Sequence, residues 1–221
     1  MDISDMEFDK YRSVSTDSLF KVRGKVVNVV GLTIESAGPS AKLGDICMIY
    51  PSAANVGSKP ALAEVVGFRN GRNLLMPYEN VEGIGPGSSV ENTGAPLKVR
   101  VDDSLLSHTL DGLGRPNEEM VLSGEEYSVE AKPPDPMSRK IISEVLPLGV
   151  KAVDGLITVG KGQRIGIFAG SGVGKSTLMG MFARNTKADI NVIALIGERG
   201  REVREFIERD LGPEGMKRSV V

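Results

Sequence analysis

Several features are scarce or absent in this 221-residue sequence. Cys47 is the single cysteine, so no disulfide can form within the chain and a reducing compartment is expected. Its apolar context, "DICMIY", predicts a small buried strand residue rather than a reactive thiol. The formal net charge is only -2, so no overall positive field attracts the chain to nucleic acid or anionic lipid.

Long apolar runs are also absent. None approaches the roughly 18 residues that a transmembrane helix needs. The N-terminal stretch "MDISDMEFDKYRS" is acidic and has no apolar centre, which excludes a signal peptide. The composition is typical of one or two ordinary soluble domains with real cores.

Three segments are predicted along the chain. Residues 1–20 form a polar lead-in. Residues 21–94 consist of short, Val-rich runs bounded by Gly, Pro, Asn or Ser, which indicates a small antiparallel β-barrel or sandwich. Residues 95–221 contain a proline-rich connector, "AKPPDPMSR", that is expected to be extended rather than regular. The order strand, Gly-rich turn, helix, strand, turn and helix then predicts a parallel α/β sheet.

The stretch "AGSGVGKST" has the pattern of a phosphate-binding P-loop. It lies between "RIGIFA", which has strand character, and a helix with apolar residues at helical spacing, so it opens a helix whose N-terminus attracts anions. Ala169 stands where the general pattern has glycine. The residues predicted to hold a nucleotide are Ala169, Gly170, Ser171, Gly172, Val173, Gly174, Lys175, Ser176 and Thr177.

The chemistry of this loop predicts ATP and Mg²⁺ as its ligands. Lys175 can reach the β- and γ-phosphates, and the Ser176 hydroxyl can ligate the metal ion. Three glycines supply the backbone freedom that a tightly curled loop needs.

Glu198 follows the apolar run "INVIALIG", which is predicted to be a strand buried on both faces. Ligands of α/β sheets bind at the carboxyl ends of strands, so Glu198 and the P-loop are expected at one edge. A carboxylate there can orient the water that attacks the γ-phosphate, with Arg199 in support. Most of the other charged residues are expected to form a solvated helix face with intrahelical pairs: Arg201, Glu202, Arg204, Glu205, Glu208, Arg209 and Asp210.

These motifs resemble a known family. "FAGSGVGKSTLMG", "VIALIGERGREVREFIERDLGPEGMKRSVV", "DGLGRP" and "LMPYENVEGIGPGSSV" are similar to the flagellar protein export ATPases, also called flagellum-specific ATP synthases. These belong to the type III secretion ATPases, which are related to the catalytic subunit of rotary ATP synthases. The likeness covers about residues 21–221, and Ala169 is typical of this branch.

The resemblance implies an N-terminal β-barrel followed by a RecA-type P-loop domain. It implies ATP hydrolysis in a homohexameric ring, with Glu198 activating water and Arg199 beside it. The implied location is the cytoplasm, peripheral to the inner membrane. The implied partners are the flagellar export apparatus, its regulator and stalk proteins, and export chaperone–substrate complexes.

The sequence also departs from this family. Members are about twice as long and continue with a Walker B strand ending in a metal-site Asp, an arginine finger and a helical domain. "VIALIGE" is not a Walker B strand, because a glycine precedes its acid. We therefore expect a fragment that stops in "KRSVV", at the start of a strand, with an incomplete sheet, exposed apolar surface and poor ATP hydrolysis.

Other functions are weighed against this one. An injectisome ATPase or a rotary ATP synthase catalytic subunit shares most of the motifs. An RNA-translocating hexamer would need a basic, aromatic groove, whereas residues 1–93 carry nine Lys and Arg against eleven Asp and Glu. A non-catalytic assembly module is disfavoured by Lys175 and Glu198. The remaining candidates, His108, Asp111 and Asp135, are expected to be structural.

Overall fold

The computed structural model describes residues 21–51, 59–170 and 172–221. The predicted lead-in, residues 1–20, and Ser171 of the P-loop lie outside the described residues. The chain divides into two compact units, with the division between Leu97 and Lys98.

The first unit is a closed antiparallel barrel of six strands in the order β1-β2-β5-β4-β3-β6. This confirms the predicted barrel and excludes a sandwich. The strands are β1 Arg23–Val30, β2 Thr33–Ala37, β3 Ile46–Tyr50, β4 Ala61–Arg69, β5 Arg72–Pro77 and β6 Ser89–Asn92.

Alternation along the strands explains the barrel. Every second side chain points inward, and these side chains form one apolar core: Val26, Ile34, Cys47, Ile49, Ala63, Val65, Leu75 and Val90. Strands β4 and β5 are joined by Asn70 and Gly71, both with positive φ, as a two-residue hairpin turn requires. Cys47 is fully buried as predicted, and that burial raises the pKa of its thiol to about 11.

The second unit begins with the antiparallel pair β7 Lys98–Val101 and β8 Glu125–Ser128. Its helices are α1 Lys151–Leu156, α2 Lys175–Asn185, α3 Gly200–Glu205 and α4 Gly212–Met216. A π-helical turn, Phe206–Leu211, joins α3 to α4. Single 3₁₀ turns occur at Asp103–Leu105 and Pro136–Ser138.

Two short parallel strands lie beside α2. Strand β9, Asn191–Val192, pairs with β10, Ser219–Val220, so "KRSVV" does enter a strand as predicted. Residues 107–110 hydrogen-bond to the other edge of β10: the Ser107 N–H donates to the Ser219 carbonyl at 2.9 Å. The parallel α/β arrangement is therefore present, in a small form.

Two strand predictions are wrong. Residues 164–169, "RIGIFA", are not in a strand, and the run before Glu198 is a strand only at Asn191–Val192. A strand needs a neighbour to complete its ladder of hydrogen bonds, and none of the described residues pairs with 164–169. Instead of being buried on both faces, Val192 and Ile196 are 82% and 90% exposed, and Phe168 is 97% exposed. The exposed apolar side chains expected in this unit are thus observed.

The proline-rich connector also differs in one detail, because it contains a 3₁₀ turn. The Asp135 carboxylate accepts a hydrogen bond from the Met137 N–H at 2.8 Å, and a proline at the first position suits the turn. Asp111 likewise accepts from two backbone N–H groups of its own turn. His108 contacts the Leu106 carbonyl, so the structural roles predicted for these three residues hold.

Candidate nucleotide site

The glycine-rich loop turns tightly into α2. Gly172 and Gly174 have φ of 76° and 92°, values in the left-handed region that side-chain-bearing residues rarely adopt. The first intrahelical bond runs from the Leu178 N–H to the Gly174 carbonyl at 2.9 Å. The three preceding amides of α2 consequently have no acceptor within the helix and are available to an anion.

A cavity of about 340 Å³ lies against this loop, within the range of roughly 300–1,000 Å³ that is usual for small-ligand pockets. A methyl group built on Gly170, Gly172 or Gly174 would meet no atom within 4 Å, so the space beside the loop is open. The cavity is lined on this side by Gly170, Gly172, Gly174, Lys175, Ser176 and Thr177. Ala169 and Val173 belong to the loop but not to the lining.

The rest of the lining comes from the segment that begins with Glu198. Gly197 has φ of 75° and turns the chain immediately before that residue. This part of the lining consists of Glu198, Glu202, Glu205, Arg209 and Asp210. The structure therefore brings Glu198 into the same cavity as Lys175 and Ser176, although they are distant in sequence.

Arg199 is placed differently from Glu198. It is the N-cap residue of α3 and does not line the cavity. Its guanidinium lies 3.4 Å from the Glu202 carboxylate, and its side chain is 81% exposed. Arg199 thus contacts Glu202, which lines the cavity, but does not line the cavity itself.

Glu202 interacts with both Glu198 and Arg199. Hydrogen bonds from the Glu198 carboxyl group and from the Arg199 backbone hold the pKa of Glu202 below its usual value. A glutamate three positions after an N-cap residue is the spacing of a capping box, in which its carboxylate accepts from the backbone N–H of the cap. Arg199 is not one of the Ser or Thr residues that define a capping box in a sequence, so no sequence signal identified Glu202.

The prediction of a solvated helix face is wrong for Asp210, which is buried and lines the cavity. Glu202, Glu205 and Arg209 line the cavity as well, but Glu205 and Arg209 are exposed and pair four residues apart at 3.5 Å, as predicted. The prediction is also correct for Arg204 and Glu208, which form an exposed pair four residues apart at 2.7 Å. Across the lining, four carboxyl groups face two cationic groups. A phosphate ligand would be better accommodated there with a divalent cation than without one.

Comparison with known proteins identifies the family to which this chain belongs. The model of the ATP synthase alpha/beta family β-barrel domain matches residues 26–94, and the model of the same family's nucleotide-binding domain matches residues 149–221. Together the two matches cover more than half of the chain. The chain belongs to the ATP synthase alpha/beta family.

Individual members of the alpha/beta family are similar to this chain over most of its length. The chain is 56% identical over 208 residues to the flagellum-specific ATP synthase of Bacillus subtilis (strain 168), covering 93% of this chain and 47% of the relative. It is 48% identical over 212 residues to a type 3 secretion system ATPase of Xanthomonas euvesicatoria, covering 95% and 47%. The resemblance inferred from the motifs is thereby confirmed.

Two solved structures are similar to this chain. The assembled ATPase EscN of the enteropathogenic E. coli type III secretion system has a TM-score of 0.74 and 45% identity, covering 90% of this chain and 47% of that chain. EscN in complex with its central stalk EscO has a TM-score of 0.74 and 42% identity, covering 90% and 48%. This alpha/beta family chain spans about half the length of the relatives it matches.

Among the described residues, no helix has the length and apolar character needed to cross a membrane.

Proposed function

We propose that this chain binds ATP with Mg²⁺ and is the nucleotide-binding part of an ATPase that energises protein export through the flagellar type III secretion apparatus. The observation that carries this proposal is the shared cavity of Lys175, Ser176 and Glu198. A phosphate cradle at a helix N-terminus and a carboxylate in the same cavity are the two halves that phosphoryl transfer to water requires.

Each loop residue has a role in this proposal. The amides of the loop and of the first turn of α2 bind phosphate oxygens, and the Lys175 ammonium compensates charge on the β- and γ-phosphates. The proposed contacts of Ala169, Val173 and Ser171 are limited to the backbone of the loop. Because a methyl group built on Gly170, Gly172 or Gly174 would meet no atom within 4 Å, phosphates can approach the backbone of the loop at these positions.

The metal ion would be held by the Ser176 hydroxyl together with the nucleotide phosphates. Within the described residues, no group of three or more His, Cys, Asp or Glu side chains is arranged to hold a metal alone. Shared coordination of this kind is typical of Mg²⁺, which binds through few protein ligands plus substrate phosphates. When bound, Mg²⁺ would neutralise charge on the phosphates.

Glu198 accepts a hydrogen bond from the attacking water and orients it toward the γ-phosphate. Its neighbour Glu202 has a lowered pKa, and its carboxylate lies 3.4 Å from the Arg199 guanidinium. Arg199 therefore acts on Glu198 through Glu202, by fixing the position of the carboxyl pair. This refines the supporting role expected for Arg199.

The similar proteins support an assembled form. EscN has been seen assembled and in complex with a central stalk. We extend this to the present protein: a homohexameric ring and a stalk partner, at the cytoplasmic face of the inner membrane. A regulator and export chaperone–substrate complexes are the further partners proposed. The flagellar assignment is supported by the higher identity to a flagellum-specific relative than to a type 3 secretion relative, 56% against 48%.

Binding of a fluorescent ATP analogue to the 221-residue chain tests the proposal. With Mg²⁺ present, we expect saturable binding that Lys175→Ala weakens by about tenfold or more, since the ammonium contacts two phosphates. The matched control is Lys187→Ala, which removes a lysine that does not line the cavity. Equal binding by the wild-type and Lys175→Ala chains would show that the loop does not hold a nucleotide.

A further inference from the structure

Asp210 belongs to the π-helical turn, and its buried carboxylate lies beside the first turn of α2, the helix that follows the P-loop. Its residue is only 6% exposed, and its Oδ1 accepts a hydrogen bond from the Thr177 hydroxyl at 3.3 Å. Its Oδ2 lies 3.6 Å from the Arg209 guanidinium. Burying a carboxylate is unfavourable unless such partners compensate, so the position of Asp210 depends on these contacts.

The local backbone explains how Asp210 reaches α2. In the π-helical turn Phe206–Leu211, the Gly212 N–H bonds to the Ile207 carbonyl five residues earlier, which changes the direction of the following side chains. The turn packs directly on α2 at Gly180. A methyl group on Gly180 would lie 2.4 Å from the Asp210 carbonyl oxygen, so only glycine permits this approach.

Thr177 connects this contact to the phosphate loop. It lines the cavity and directly follows Lys175 and Ser176 in the first turn of α2. A threonine hydroxyl has one proton to donate, and donating it to Asp210 selects one rotamer of the side chain. The hydrogen bond therefore ties the first turn of α2 to the π-helical turn.

We propose that Asp210 is a positioning residue that acts through the Thr177 hydroxyl to hold the first turn of α2 in the orientation that binds nucleotide phosphates. This inference rests on the proposed function. Asp210 also lines the cavity. Its contribution to nucleotide affinity is nevertheless made through Thr177 and disappears when the Thr177 hydroxyl is absent. A residue with a merely structural role would change the stability of the fold and leave the affinity of the folded chain unaltered.

A double-mutant cycle with Thr177→Val and Asp210→Ala tests this pathway. The readouts are the affinity for a fluorescent ATP analogue with Mg²⁺ and the melting temperature of each variant. We expect each single substitution to weaken binding by about fivefold, a size that one hydrogen bond supports. The double variant should bind no more weakly than the single variants.

Conservative variants separate the hydrogen bond from the bulk of the side chains. Asp210→Asn keeps an acceptor oxygen and Thr177→Ser keeps the hydroxyl, so both should bind within about twofold of wild type. Glu208→Ala is the matched control, because Glu208 lies on the same turn but pairs with Arg204 outside the cavity. It should leave affinity unchanged. If Asp210→Ala does not fold, Thr177→Val and the two conservative variants still test the contact.

The outcomes distinguish this inference from the proposed function. Lys175-dependent binding with unchanged affinity in Asp210→Ala or Thr177→Val overturns the positioning role and leaves the proposed function standing. Additive losses in the double variant show that Asp210 acts directly or on another group, which also overturns it. Absence of Lys175-dependent binding in the wild-type chain overturns both.

Discussion

At the residue scale, the side chains expected to contribute most to stability are those with several partners. Glu91 in the barrel is one of them. Its carboxylate lies 2.6 Å from the Lys21 ammonium and 3.4 Å from the Arg23 guanidinium, and it accepts from the Tyr50 hydroxyl at 3.4 Å. These contacts, with the Lys21 hydrogen bond the largest, hold the pKa of Glu91 below its usual value.

Glu91 should therefore make the barrel's stability depend on pH. A lowered pKa in the folded state means that the carboxylate stabilises the fold at a pH above the unfolded pKa, about 4.3. That contribution is lost as the pH falls through the folded pKa. We expect Glu91→Gln to lower the melting temperature at pH 7, and the difference from wild type to shrink toward pH 3.

Far-UV circular dichroism is the suitable measurement, because the chain has no tryptophan. Glu82→Gln, in an exposed loop of the same unit, is the control and should behave like wild type at each pH. A Glu91→Gln difference that stays constant from pH 7 to pH 3 would contradict an ionisation effect.

At the element scale, α2 is held at both ends. Its N-terminus carries the phosphate loop, and its C-terminus is capped by Arg218. The two Arg218 terminal nitrogens each donate two hydrogen bonds of 2.9 Å, which end on the carbonyls of Ala183, Arg184, Thr186 and Ala188. A cation at a helix C-terminus also interacts favourably with the helix dipole.

We expect Arg218→Lys to destabilise the second unit by roughly 2 kcal/mol, although it preserves the charge. A lysine ammonium is a point donor and cannot reproduce the planar fork that spans four carbonyls. Chemical denaturation followed by circular dichroism measures the effect. Lys217→Arg is the control, since Lys217 is exposed and pairs only with Glu214 among the contacts of the described residues. Equal stability of Arg218→Lys and wild type would exclude a capping role.

Local patterns predicted most of the elements but not all of them. The barrel strands and α2 follow from alternation and helical spacing, which are properties of neighbouring residues. The strand predicted for "RIGIFA" is not formed, because a strand also depends on a partner elsewhere in the chain. Asp210 was missed for a related reason: in a regular α-helix its charge fits a solvated face, whereas the π-helical turn directs it against α2.

At the scale of the whole molecule, the chain matches two domains of the alpha/beta family and about half the length of its relatives. Its small parallel sheet exposes the apolar side chain of Val192, and the residues that follow the sheet expose Ile196. The cavity lining outside the P-loop and α2 comes from one segment, residues 198–210. A site walled in this way remains open to water, which weakens electrostatic stabilisation of charge in the transition state.

We therefore expect the 221-residue chain to bind ATP but to hydrolyse it little faster than its Lys175→Ala variant. Steady-state release of phosphate, measured with Mg²⁺ over a range of protein concentrations, tests this. The concentration series is needed because assembly would bring further residues to the cavity. Lys175-dependent turnover close to that of a full-length relative would refute the expectation.

The sequence predicted the β-barrel and the phosphate loop, which depend on short-range patterns. It also predicted that Glu198 lies in the same site as Lys175, from the rule that ligands bind at the carboxyl ends of strands. The two residues do line one cavity, although the strand predicted before Glu198 extends only over Asn191–Val192.

The sequence did not predict that Arg199 lies outside the cavity or that Glu202 and Asp210 line it; the tertiary structure shows both. The physical reason is that the direction of a side chain on the α3 and π-helical segment depends on its packing against α2, above all at Gly180, and not on its own sequence pattern.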